Sequence, residues 1–109
     1  MKKILSIPIY DIQIQLQVTK HFGEAVCDAG WDGPVCGGAV VLHYPDSPGI
    51  YSVIFEKGCT TPGVIAHEAY HLTRKIMFYL DLVDTPTNQE TGAYLNGFIV
   101  DLITQAINK

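Results

Sequence analysis

His67, Glu68 and His71 fall together in GVIAHEAYHLT, residues 63–73. On a helix of 3.6 residues per turn, positions four apart are separated by about 40° and one turn, so both imidazoles can reach a single ion. Glu68 lies about 100° round from His67, which directs its carboxylate at a metal-held water and not at the metal. Ligands and base are then different residues, as a tetrahedral zinc site with an open position requires. The competing reading is a core helix with two satisfied histidines. Against it stands the cost of burying three ionisable side chains on an otherwise apolar helix without a metal or specific partners.

A catalytic zinc needs a third protein ligand. Asp81 and Asp84 lie in or near the turn after the first helix, Glu90 opens a second helix and Asp101 lies deep within it. On that helix Glu90, Tyr94, Gly97 and Asp101 fall within about 60° of one another, a polar stripe opposite the apolar face. Glu90 also has a purely structural explanation, because TNQE at 87–90 matches a capping box with Thr87 as N-cap. In a simple antiparallel hairpin with the first helix running to residue 82, Glu90 would stand about 15 Å from His71 at 1.5 Å per residue. It reaches the metal only if the first helix ends early or residues 81–87 fold back, so Asp101 stays open on geometry. A closed structural zinc site is the other alternative, with Cys59 or Cys36 as fourth ligand.

The elements that position these residues follow from periodicity. IQIQLQV at 12–18 alternates apolar and polar residues, the period of a strand with one buried face. Ile7 and Ile9 have the opposite parity, which predicts a bulge or bend around Tyr10 and Asp11. Residues 20–36 lack a firm period and read as irregular, with KHFGEAVCDA the stretch most able to form a short helix. GGAVVLHY and GIYSVIFEK flank the turn residues PDSPG and predict an antiparallel hairpin. A helix follows from a Thr60 or Thr61 cap and Pro62 through Leu80, with apolar residues on most sides. The second helix spans 88–107, with Leu95, Phe98, Ile99, Leu102, Ile103 and Ala106 as its apolar face. The expected fold is α+β, a small antiparallel sheet of about three strands packed on two helices in one domain, residues 1–109.

Composition narrows the function classes. At 48% apolar, 109 residues can build one core, and a net charge of −4 with seven scattered cations argues against nucleic acid as partner. MKKILSIPIYD imitates the start of a signal peptide but meets Pro8 and Asp11 too soon. No stretch approaches the ~20 apolar residues of a membrane-spanning helix. Three cysteines, an odd number, suit free thiols in a reducing cytoplasm better than a disulfide framework, although CDAGWDGPVC could bring Cys27 and Cys36 together.

HEAYH followed after eighteen residues by ETGA resembles the H-E-x-x-H…E-x-x-A pattern of the gluzincin group of zinc metallopeptidases. The longer string HEAYHLTRKIMFYLDLVDTPTNQETGAYLNGF is also similar to small phage- and prophage-encoded proteins with a zincin-like, minimal-peptidase core. The resemblance covers roughly residues 60–100. It implies a zincin-like fold, a Zn²⁺ site of His67, His71 and Glu90, and an antiparallel strand, expected at 50–57, beside the cleft. It implies peptide or protein substrates, with Glu68 as general base in a bacterial host cytoplasm. Many gluzincins carry an acidic residue four positions after the ligand Glu; here that position is Tyr94. Tyr94 is the first candidate for oxyanion donor, followed by Tyr70 and His43. The same fold can also serve as a catalytically weak phage interaction protein that uses an exposed β edge.

Overall fold

The computed structural model describes residues 1–31, 33 and 37–109. The chain is α+β, with strands β1 (Lys2–Ile7), β2 (Ile12–Thr19), β3 (Ala39–His43) and β4 (Ile50–Glu56), and helices α1 (Phe22–Asp28), α2 (Pro62–Tyr79) and α3 (Gln89–Ile107). The expected sheet of about three antiparallel strands is therefore too small and too simple. Four strands pair in the order β1-β2-β4-β3, and β2 and β4 run parallel between two antiparallel pairs. The Gln-interleaved strand supports this centre by placing Ile12, Ile14 and Leu16 on the core side, each nearly fully buried.

Parity changes between Ile9 and Ile12 because the chain turns there, not because a strand bulges. A single 3₁₀ turn at Pro8–Tyr10 and a left-handed Asp11 (φ 54°) close a hairpin in which Ile7 pairs with Ile12. At the other turn, Gly49 has φ 86°, a conformation that side chains disfavour, and its carbonyl accepts from the Gln13 amide at 2.8 Å. That bond starts the parallel seam between β2 and β4.

The stretch read as irregular contains α1, a seven-residue helix held by Phe22 and Val26. Together with Ile54, these residues form a small second core on the outer face of the sheet. The main core lies on the opposite face, where Tyr51, Val53 and Phe55 meet Ile65, Leu72 and Ile76 of α2 and Ile99 and Ile103 of α3. Cys36 and its neighbours 32, 34 and 35 fall outside the described residues, so its pairing with Cys27 or its role as a metal ligand does too. Among the described residues, Cys27 and Cys59 form no disulfide. No helix among the described residues is long and apolar enough to cross a membrane.

Candidate metal and catalytic site

The helix α2 starts as its sequence predicts. Thr61 caps it by accepting from the Val64 amide, and Pro62 takes the first position, where its missing N–H costs nothing. Its burial differs from expectation. Ile65, Glu68, Ala69, Leu72, Thr73, Ile76 and Met77 face the core, whereas His67, Tyr70, His71, Arg74, Phe78 and Tyr79 are exposed. The desolvation argument made from sequence thus applies to Glu68 alone.

His67 and His71 turn their Nε2 atoms toward each other at 3.1 Å, with the rings edge-on. Glu68 is 7% exposed, and its Oε2 lies 3.8 Å from His67 Nε2. Burial pushes the Glu68 carboxyl pKa up, and the two imidazoles pull it down by less. A notch of about 360 Å³ opens beside this group, walled by Gly37, Gly38 and Ala39 on one side and Gly63, Val64, His67 and Glu68 on the other. The strand along the cleft is therefore β3, whose outer edge has no partner strand among the described residues. The strand expected there at 50–57 is the interior strand β4, Ile50–Glu56, paired on both sides.

Glu90 is not brought to the histidines. Thr73 of α2 meets Asn96 of α3 at 3.1 Å, and Met77 lies against Gly92, so numbers rise along one helix as they fall along the other. On this register Glu90 is level with residue 79, eight positions beyond His71, or about 12 Å along the axis at 1.5 Å per residue. The helix does not end early: Asp81 takes a left-handed φ of 57° and Leu82 donates to the Met77 carbonyl at 2.8 Å, which closes α2 only after Tyr79. The link does fold back, but Asp84 reaches only Arg74, with which it pairs at 2.8 Å.

Asp101 is level with the site yet exposed, and Tyr94 is 76% exposed on the same outward stripe of α3. Among the described residues, no set of three His, Cys, Asp or Glu side chains is gathered closely enough to hold a metal ion. The capping box at 87–90 is not formed either. Asn88 is the N-cap residue without a side-chain cap bond, and Thr87 pairs with Thr85. Of the three oxyanion-donor candidates, Tyr70 is the one set against the site, its ring centroid 6.4 Å from that of His71. Tyr94 ranks ahead of it in the sequence because Tyr94 shares the stripe of Glu90 on the second helix, a stripe that faces away from the histidines here. Gly38 is crowded by the Cys59 side chain just ahead of α2, so a side chain there would have to displace it.

No protein-family model, no curated protein and no solved structure matches this chain.

Proposed function

We propose that this protein is a zinc-dependent peptidase with a zincin-like core, in which His67 and His71 hold the metal and Glu68 is the general base. The observation that carries the reading is the convergence of the two Nε2 atoms at 3.1 Å beside the Glu68 carboxylate, at the mouth of a notch bordered by an open strand edge. The donors suit the ion: two zinc–nitrogen bonds of about 2.0–2.1 Å at a tetrahedral angle separate the nitrogens by about 3.3 Å. The third ligand in this reading is Glu90, taken from the sequence resemblance, and it requires the α2–α3 turn to rearrange.

Bound zinc would supply Lewis acidity to the scissile carbonyl and to an attacking water. Glu68 takes that water's proton and returns it to the leaving amine. Burial suits it for both transfers by moving its pKa toward neutrality. The open edge of β3 offers backbone N–H and C=O groups with which an extended peptide can pair.

Glu68→Gln tests the reading. It should keep zinc and fold, yet lose hydrolysis of a peptide library by at least ~10² to 10⁴, the usual contribution of positioned proton transfer. If activity survives the substitution, Glu68 is not the base. The same open edge favours a second reading, a zincin-fold interaction protein with weak or no activity. Zinc-loaded wild type that cleaves nothing across a broad library would select it.

A further inference from the structure

The flank of α2 that carries His67 and His71 continues through Arg74, Lys75 and Phe78 and follows the edge of β3 from Ala39 to His43. At the far end lies a larger cavity, about 640 Å³, between this flank and the β3–β4 turn. Its size is that of a ligand or side-chain pocket. Tyr51, Phe78 and Tyr79 contribute aromatic walls; Phe78 is 88% and Tyr79 45% exposed, an unusual amount of aromatic surface to leave in water. Two cations face the cavity. Arg74 is occupied by Asp84, whereas among the described residues no carboxylate pairs with the half-buried Lys75.

We infer that this cavity is a distal side-chain pocket of the peptide cleft, and that its occupant is an aromatic residue flanked by an acidic one. Its placement in a cleft rests on the peptidase reading, since that reading puts the reacting bond at Glu68. The ring fills the aromatic walls, and the neighbouring carboxylate meets the Lys75 ammonium. From His67 to Lys75 is eight helical residues, about 12 Å. An extended peptide at about 3.3 Å per residue covers that distance in roughly four positions. A peptide pairing antiparallel to β3 runs from the His43 end toward Ala39. The anchor therefore lies about four residues on the N-terminal side of the bond at Glu68.

The test uses the Glu68→Gln protein and fluorescein-labelled decapeptides carrying Glu-Phe, Glu-Ala or Lys-Phe at one fixed position, with binding read by anisotropy. Glu-Phe should bind at least tenfold more tightly than either other peptide. Lys75→Glu, with an unchanged melting temperature, should reverse the preference between Glu-Phe and Lys-Phe. Equal affinities, or no binding by any peptide, overturn the pocket. So does an acetylated Glu-Phe dipeptide amide that binds as tightly as the decapeptide, because the groove would then contribute nothing. The enzyme is judged separately. Wild type that cleaves with no anchor preference removes the pocket and keeps the peptidase, and anchor-dependent binding without cleavage does the reverse.

Discussion

His67 and His71 meet in solvent at a distance where, without a metal, one imidazole must donate to the other. Because both rings are exposed, replacing either with alanine should move the stability of metal-free protein by no more than about 0.5 kcal/mol. Zinc binding should respond strongly: His67→Ala and His71→Ala are each expected to lose stoichiometric zinc by elemental analysis. Retention in both variants would refute the site. Glu90→Ala should lose zinc and Asp101→Ala should keep it if the resemblance identifies the third ligand; the opposite pattern would reject that ligand set. Tyr51 gives a different titration. Burial, and then Tyr79, raise its hydroxyl pKa above the ordinary 10, so the folded state holds its proton longer than the unfolded chain does. Stability therefore falls as pH rises above 10, and Tyr51→Phe should flatten that loss when melting temperatures at pH 8 and pH 10.5 are compared. If the two proteins decline alike, Tyr51 is not the group responsible.

Between elements, the contact that decides most is the one between α2 and α3. Thr73 is 2% exposed; its hydroxyl donates to the Ala69 carbonyl at 2.7 Å and lies 3.1 Å from the Asn96 side-chain oxygen. This contact fixes the register that keeps Glu90 away from His71. Thr73→Val should cost about 1 kcal/mol in urea unfolding, the net worth of a hydrogen bond, and its effect should couple to that of Asn96→Ala by about 0.5 kcal/mol or more. Strict additivity would mean that the helices pack in another register, one that could admit Glu90. The elements themselves were largely readable: Thr61 and Pro62 announce α2, and the turn between Tyr44 and Ile50 announces the β3–β4 hairpin, because caps and turns are local chemistry. The helix α1 falls within KHFGEAVCDA, the stretch able to form a short helix, but its seven residues are too few to establish a period and fix its bounds. The exposed flank of α2 was illegible for another reason. Phe78 and Tyr79 have the composition of a core, and only the position of β3 determines that they border a groove.

At the scale of the whole molecule, the sheet is two hairpins joined along one line. The pairings β1–β2 and β3–β4 connect near neighbours in sequence, whereas β2 and β4 meet only after residues 20–49 have been gathered in between. No periodicity announces such a seam, since Ile14 would alternate in the same way beside a parallel or an antiparallel partner. The parallel seam divides the order in which the chain folds. Each hairpin can close locally within microseconds, but the seam must first bear the entropy of a long loop, which is recovered only when α2 and α3 cover the joined sheet. Ile14, fully buried on the seam, reports on this step. Ile14→Val should cost about 0.5–1.5 kcal/mol, and stopped-flow kinetics should show that loss mainly as faster unfolding. A slowed refolding limb with unchanged unfolding would instead place the seam in the folding nucleus. With the seam formed late, the protein has an interval in which both hairpins exist and the inner edges of β2 and β4 are unpaired, so its refolding yield should fall with protein concentration well before its native state shows any tendency to associate.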